Sequence, residues 1–391
     1  MRIMRNLLQI LTLFIALLWA SGDGQSDDFQ KGNAAFKKKD YASALREWSA
    51  LAKQGHARAQ NGLGLLYLNG LGVKVDTNRA LKWIQKSANA DDPRGQVNLG
   101  RMFARGQGVP KSDYSAIIWF SRAAEQGHTR AQYNLGVMYE NGKGVPKDPP
   151  IAAKWYRLAA EQGYANAQFK LGYFYNQGLG VSKNLKTGFK WSKLAAEQKH
   201  PNAQYNTGIH YQYGNGVPKN LKTAVKWYRL SAEQGFADAQ LNLGFMYEYG
   251  KGISKNTKTA VDWYRLAAKQ GNADAQSNMG VMYENGKGVS KNLNTAIDWY
   301  RLAAKQGHTR AQGQLGWMHL NGEGISKDPK TALKWIKPAA DKGDKFAQGN
   351  LGYMYEFGVG VSKDRKTAIK WYRLAANQGS AYAKKRLKIL Q

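Results

Sequence analysis

Four histidines are the residues of this chain best suited to acid–base or metal chemistry, and they recur in register. His56, His128, His200 and His308 are separated by multiples of 36 residues. Each lies just after a predicted helix end, which favours a role in the turn over one as a ligand or base. The sequence contains no His-Glu-x-x-His pair, no nucleophile elbow and no phosphate-binding P-loop. We therefore predict no catalytic residue, no cofactor and no metal site.

A second group with chemical potential is a set of asparagines at one repeat position, here called the asparagine column. Its members are Asn98, Asn134, Asn206, Asn242, Asn278 and Asn350. An amide side chain offers both a donor and an acceptor, so such a column can bind an extended peptide backbone step by step. The alternative is that asparagine is merely tolerated at a solvated helix position.

Aromatic residues flank this column and vary from repeat to repeat. Tyr133, Phe169 and Tyr205 precede the column, and Gly313 and Gly349 take their place later in the chain. Tyr173, Phe245, Trp317 and Tyr353 follow three residues after it. Exposed aromatic residues beside polar groups are typical of binding hot spots. We predict that these residues and the asparagine column line a partner-binding groove.

The chain is strongly basic, with a formal net charge of +31. Much of this charge repeats in register, above all in eight lysines that we call the lysine column: Lys111, Lys147, Lys183, Lys219, Lys255, Lys291, Lys327 and Lys363. A polyanion site for an anionic envelope polymer or a membrane surface is one interpretation, and nucleic acid fits less well because no nucleic-acid-binding module is recognisable. The other is a solvated outer face, supported by predicted i,i+4 pairs such as Arg157 with Glu161.

These residues are positioned by a unit of 36 residues that recurs nine times without insertion or deletion. In residues 127–162 the sequence predicts two helices with facing apolar stripes, one carrying Ala131 and Leu135 and the other carrying Tyr156. Gly136 recurs inside the first helix, which indicates close helix contact. A unit this short cannot bury its own apolar face, so neighbouring units must stack and share a continuous core.

The repeated motif A-x-A-Q-x-x-L-G-x-x-Y, with its Gly-x-Gly turn and its Trp-Tyr second helix, resembles the Sel1-like repeat, a relative of the tetratricopeptide repeat. The resemblance covers residues 56–379. Residues 23–55 resemble a tetratricopeptide-like N-terminal capping repeat, and residues 380–391 begin a C-terminal capping helix. The resemblance implies an all-α, right-handed α-solenoid of helix-turn-helix repeats whose first helices line the concave face.

The N-terminus carries a different signal. Arg2 and Arg5 precede the apolar stretch Leu7 to Ala20, and small residues follow, which predicts a signal peptide over residues 1–22. The chain contains no cysteine, which excludes a disulfide framework. It contains no Asn-x-Ser/Thr sequon, which favours a bacterial periplasmic or secreted protein over one of the eukaryotic secretory lumen.

The sequence therefore predicts an exported, non-enzymatic scaffold that binds a protein or peptide partner in the concave groove. A polyanion-binding envelope protein that uses its basic columns is the alternative. A cell-wall or beta-lactam hydrolase is a remote third, because the resemblance brings such activity mainly through cysteine-rich relatives. Salt separates the first two, since a lysine-dependent contact collapses at high ionic strength.

Overall fold

The structure, a computed structural model, describes residues 28–390. Every element in this part of the chain is helical, and none of its residues lies in a β-strand. The predicted signal peptide lies outside the described residues. No helix within the described range is long and apolar enough to cross a membrane.

Twenty-one helices follow one another through the described residues, in helix-turn-helix pairs. In chain order they are α1 (28–37), α2 (Tyr41–Lys53), α3 (Ala57–Asn69), α4 (Thr77–Asn89), α5 (Pro93–Arg105), α6 (Asp113–Glu125), α7 (Thr129–Asn141), α8 (Pro149–Glu161), α9 (Ala165–Gln177), α10 (Leu185–Glu197), α11 (Pro201–Tyr213), α12 (Leu221–Glu233), α13 (Ala237–Tyr249), α14 (Thr257–Lys269), α15 (Ala273–Asn285), α16 (Leu293–Lys305), α17 (Thr309–Asn321), α18 (Pro329–Asp341), α19 (Lys345–Phe357), α20 (Arg365–Asn377) and α21 (Ala381–Leu390). The odd-numbered helices α3 to α19 are the first helices of the nine repeats, and the even-numbered helices α4 to α20 are the second. The prediction of an all-α solenoid is confirmed.

The chain divides into two compact units, Met1–Ala195 and Ala196–Gln391, here called unit 1 and unit 2. Each unit has its own buried clusters. In unit 1, Ala131 and Leu135 of α7 are fully buried beside Phe120 of α6. In unit 2, Tyr264 of α14 packs with Met279 of α15 in the same arrangement. The core of each unit is thus formed by a second helix and the first helix of the next repeat.

Two glycine positions in each repeat are explained by close approach. A Cβ on Gly136 of α7 would lie 2.5 Å from the ring of Tyr156, which is fully buried in α8. Gly144 has a φ of 71°, and a Cβ there would lie 2.6 Å from the backbone of Asp113 in the preceding repeat. The two helices of one repeat therefore pack at a distance that only glycine allows, and so do the loop that joins them and the preceding repeat.

The helix ends follow the rules that the sequence indicated. Asp148 caps α8 by accepting a hydrogen bond from the backbone N–H of Ile151 at 2.9 Å, and Asn220 caps α12 in the same way. Pro338 lies inside α18, where it removes a backbone donor, yet α18 is 13 residues long, as α8 is. The proline is accommodated without shortening the helix.

Candidate functional site

The first helices of consecutive repeats contact one another within each unit, as α3 contacts α5 and α17 contacts α19. We call the surface they form the first-helix face of a unit. It consists of the asparagine-column position and the positions four residues before it and three and seven residues after it. In α7 these are Arg130, Asn134, Val137 and Asn141, all at least partly exposed.

The structure places the whole asparagine column on this face, half-buried. Asn98 donates to Oδ1 of Asn61 at 2.7 Å, and Asn242 donates to the hydroxyl of Tyr205 at 3.5 Å. The other four make no side-chain hydrogen bond to any residue that the structure describes: Asn134, Asn206, Asn278 and Asn350. These four amides are therefore available to a ligand.

The aromatic residues that precede the column are not exposed, which corrects the sequence-based expectation. The ring of Tyr133 lies 5.7 Å from that of Tyr156 and 5.2 Å from that of Tyr164, so it is wedged between two helices. Tyr205 packs in the same way against Tyr228. Burial raises the pKa of both Tyr133 and Tyr205. These two tyrosines are packing residues that fill the space between adjacent first helices, and Phe169 at the same repeat position is half-buried.

Among the residues that follow the column, exposure varies. Tyr173 and Trp317 are 40% and 38% exposed. Phe245 and Tyr353 are half-buried, each packed against the next aromatic residue on its own helix at 4.7 Å and 4.9 Å. Trp317 and Tyr353 lie on neighbouring first helices of unit 2 and line the same cavity.

That cavity has a volume of about 1000 Å³ and opens on the first-helix face of unit 2. It exists because Gly313 and Gly349 stand where unit 1 has Tyr133 and Phe169. A Cβ on Gly349 would meet nothing within 4 Å, and one on Gly313 would meet only Oδ1 of Asp344 at 3.7 Å. These two glycines, unlike Gly136, therefore leave open space instead of admitting a neighbouring ring.

The walls of this cavity are aromatic. Trp317 is 38% exposed, Tyr382 46% and Phe346 71%. Tyr353 completes the apolar lining, and the amide of Asn350 lies among these rings without a hydrogen-bond partner in residues 28–390. The sequence prediction included Trp317, Asn350 and Tyr353 but missed Phe346 and Tyr382. Both missed residues occupy the repeat position that lies four residues before the asparagine column. Unit 1 carries Arg130 at this position, so only the change of residue type from repeat to repeat could have revealed them.

Two acidic and two basic residues line the cavity: Glu284, Asp344, Arg310 and Lys345. Glu284 accepts hydrogen bonds from the hydroxyl of Tyr300 at 2.5 Å and from Gln314 at 3.3 Å. Asp344 caps α19 by accepting from the backbone N–H of Ala347 at 2.7 Å. Arg310 makes no ion pair with any described residue. A ligand in the cavity would therefore meet a guanidinium that makes no ion pair with a described residue, beside two carboxylates that accept hydrogen bonds from neutral donors.

A second cavity of about 540 Å³ adjoins the column in the preceding repeats of unit 2. It forms where Ser277 replaces the aromatic residue, and Phe245, Asn278 and Arg310 line it. The hydroxyl of Ser277 is buried without a hydrogen-bond partner among the described residues. Since Arg310 lines both cavities, the two form consecutive openings along one face.

The repeats match a known sequence family. The sequence model of the Sel1 repeat matches nine consecutive segments: residues 57–92, 93–128, 129–164, 165–200, 201–236, 237–272, 273–308, 309–344 and 345–380. The chain belongs to the Sel1 repeat family. Sel1 repeat proteins typically act as protein-interaction scaffolds and generally bind protein partners.

Solved structures include two similar Sel1 repeat proteins. One is a protective antigen present in uropathogenic Escherichia coli strains, with 32% identity over 96% of this chain and 90% of that chain and a TM-score of 0.67. The other is a Sel1 repeat protein from Oxalobacter formigenes, with 33% identity over 84% of this chain and 93% of that chain and a TM-score of 0.61. No match was found among curated proteins.

The recurrent histidines of the Sel1 repeats are helix caps, which confirms their interpretation as structural residues. Nδ1 of His128 accepts from the backbone N–H of Ala131 at 3.4 Å, and Nδ1 of His308 accepts from that of Ala311 at 3.1 Å. Burial lowers the pKa of His128 and keeps its ring in the neutral form that can accept this bond. Across residues 28–390 no three potential metal-ligand side chains lie together.

The lysine column lies in the loops that join the two helices of each Sel1 repeat, and all eight side chains are exposed. None of them pairs with an acidic group in the described part of the chain. The predicted pair between Arg157 and Glu161 is absent, which is a correction. Arg157 instead donates to the hydroxyl of Tyr175 at 2.7 Å, because the first helix of the next repeat comes within its reach.

Proposed function

We propose that this Sel1 repeat protein is a non-enzymatic scaffold that binds an extended segment of a partner protein on the first-helix face of unit 2. The observation that carries the proposal is the cavity at Gly313 and Gly349, where exposed Trp317 and Phe346 surround an unpartnered amide. Cavities that combine an apolar lining with a few oriented polar groups are typical of binding sites.

The chemistry of the cavity specifies the segment. Its aromatic walls fit a large apolar side chain, and burying such an anchor contributes about 2 kcal/mol or more. The amide of Asn350 can donate to a backbone carbonyl and accept from a backbone N–H. Arg310 makes no ion pair with a described residue and is therefore free to pair with an Asp or Glu close to the anchor. We propose a segment with one large apolar residue and a neighbouring acidic residue.

We further propose that the protein is exported to the periplasm or secreted. The support is the pattern of two arginines, an apolar stretch and small residues within residues 1–22. The similar protein of uropathogenic Escherichia coli strains is a protective antigen, which agrees with this proposal. An N-terminus of the mature protein near residues 21–23 in an exported fraction would support it, and full-length protein found only in the cytosol would refute it.

The exposed lysine column favours one alternative, a protein that binds an anionic envelope polymer or a membrane surface. Its eight unpaired cations would hold a polyanion mainly by long-range attraction, which salt screens. Binding in the cavity depends on apolar contact and should persist in ~0.5 M salt, where the Debye length is only a few Å.

A displayed library of random peptides tests the proposal. Selection on the wild-type protein should enrich sequences with a large apolar residue next to Asp or Glu. Gly349→Tyr fills the cavity with the residue that unit 1 carries at the same position, so it should abolish the binding of these peptides without removing any polar group. The matched control replaces Lys219, Lys255 and Lys291 with glutamine and should leave binding in place.

Two results would overturn the proposal. If the wild type and Gly349→Tyr enrich the same sequences, the cavity is not the site. If the lysine variant loses binding while Gly349→Tyr keeps it, the polyanion alternative takes its place.

A further inference from the structure

A different side-chain cluster lies on the first-helix face of unit 1. The position that carries Phe346 and Tyr382 in unit 2 is arginine in the first three repeats: Arg58, Arg94 and Arg130. On α5, Arg101 follows Arg94 by seven residues and Arg105 follows Arg101 by four, a spacing that aligns all three along one stripe of the helix. We call Arg94, Arg101, Arg105 and Arg130 the arginine cluster.

The arginine cluster makes no direct ion pair within the described chain. None of its four guanidinium groups makes an ion pair or a hydrogen bond with a described residue. The nearby acidic groups are engaged elsewhere. Oδ2 of Asp92 accepts from the hydroxyl of Ser87 at 2.9 Å, and Oδ1 of Asp91 accepts from Gln96 at 2.6 Å.

The acidic residue that α7 contributes near this face is engaged as well. Both carboxylate oxygens of Glu140 accept from Nζ of Lys170 at 2.9 Å, and Glu140 also accepts from the hydroxyl of Tyr156. The arginine cluster is therefore a concentration of positive charge that no direct ion pair with a described residue neutralises.

Arg101 shows that these charges act on one another. Its side chain is half-buried, and this burial, followed by repulsion from Arg105 and Arg130, lowers its pKa. Holding a partly desolvated guanidinium beside two like charges costs free energy in the unliganded protein. An anion bound among them would reverse the sign of that electrostatic contribution.

We propose that the arginine cluster binds a ligand carrying phosphate groups. A single carboxylate has one charge, and one guanidinium group can both neutralise it and donate hydrogen bonds to its two oxygens. A phosphate group carries up to two charges and presents three or more acceptor oxygens, so it can engage several forks at once. The ligand is either a soluble phosphate compound or a phospholipid headgroup. The site is separate from the cavity of unit 2 and from the lysine column.

The test measures binding of tripolyphosphate to the full chain by calorimetry at fixed ionic strength. A variant with Arg94, Arg101 and Arg130 replaced by glutamine should lose about tenfold or more in affinity, since it removes three sets of charge-assisted hydrogen bonds. The control makes the same change in net charge through Lys111, Lys147 and Lys183 to glutamine and should change affinity by less than about threefold. Sedimentation with phosphatidylglycerol vesicles, compared with phosphatidylcholine vesicles, separates the two sources of phosphate.

Two further readouts keep the proposal falsifiable. Arg101→Lys retains the charge but loses the fork, so tripolyphosphate affinity should fall. Arg101→Gln should raise the melting temperature of the unliganded protein, because it removes repulsion. The proposal is overturned if both triple variants lose affinity equally, if polyglutamate binds as tightly as tripolyphosphate, or if neither phosphate probe binds the wild type.

Discussion

Gln162 donates from Nε2 to Oε1 of Gln132 over 2.7 Å, and this bond links the end of one second helix to the first helix of the same repeat. Gln132 in turn donates to the backbone carbonyl of Ala124 in the preceding repeat. The same pair recurs elsewhere with N–O distances of 2.7–3.0 Å: Gln126 with Gln96, Gln234 with Gln204, Gln270 with Gln240, Gln306 with Gln276 and Gln378 with Gln348. The recurrent glutamine thus joins adjacent repeats through buried hydrogen bonds.

The exception at Lys342 predicts a stabilising substitution. Lys342 stands where the donor glutamine is expected, and Oε1 of Gln312 is buried without a partner among the described residues. Lys342→Gln should supply the missing donor and raise the free energy of unfolding by about 1 kcal/mol. It should also keep the bond that Lys342 makes to the carbonyl of Gly307, because Gln306 bonds Gly271 in the same way.

Chemical denaturation measures this effect. Lys342→Met is the control, since it removes the cation without adding a donor. Equal stability of the two variants would contradict the role assigned to the glutamine pair.

Alanine at two helical glycines should have opposite effects. Gly136→Ala places a methyl 2.5 Å from the Tyr156 ring and should destabilise by about 1–3 kcal/mol through overpacking. Gly349→Ala meets no atom within 4 Å and should stabilise α19 by about 1 kcal/mol through helix propensity. Thermal unfolding of the two variants side by side checks the prediction, which a shared sign would disprove.

The buried histidine caps should make stability depend on pH. The pKa of His128 lies below its ordinary value of 6.5 because the ring is buried. Between the lowered value and 6.5 the unfolded chain binds more protons than the folded chain, so stability is complete above about pH 6.5 and falls as the pH drops below it.

His128→Asn should reduce this loss, because asparagine does not titrate and Asn272 already caps α15 at the equivalent position, accepting from Ala275 at 2.9 Å. Denaturation at about pH 7 and about pH 5 gives the change in the free energy of unfolding with pH for the wild type and for the variant. If this change is the same in both proteins, His128 does not contribute to the pH dependence of stability.

Aromatic residues of the unit 2 cavity should dominate peptide affinity. Trp317→Ala or Phe346→Ala should each weaken a selected peptide by about 2 kcal/mol, which is about 30-fold in Kd. Tyr173→Ala is the control, since Tyr173 is equally exposed but belongs to unit 1. Fluorescence anisotropy at low salt and at ~0.5 M salt measures the Kd of the selected peptide for each variant. A loss from Tyr173→Ala as large as that from Trp317→Ala would argue against the cavity.

The sequence determined the repeat, its helices and its turns, because these depend on contacts within a few residues. Gly142 adopts its positive φ of 67°, and Asp148 caps α8, through local backbone chemistry alone. Gly136 could also be interpreted from the sequence, since a glycine repeated inside every first helix has few causes other than close packing.

Only the tertiary structure decided which residues of a column are available to a partner. Tyr133 and Gly349 share one repeat position, yet one side chain fills the space between first helices and the other residue leaves a cavity. Arg157 finds Tyr175 rather than Glu161, and Arg101 meets Arg130, because stacking brings together side chains that are 18 to 30 residues apart in the chain. The exposure of a side chain and its ion pairing depend on these neighbours. The period of 36 residues does not specify how far each side chain reaches into the next repeat.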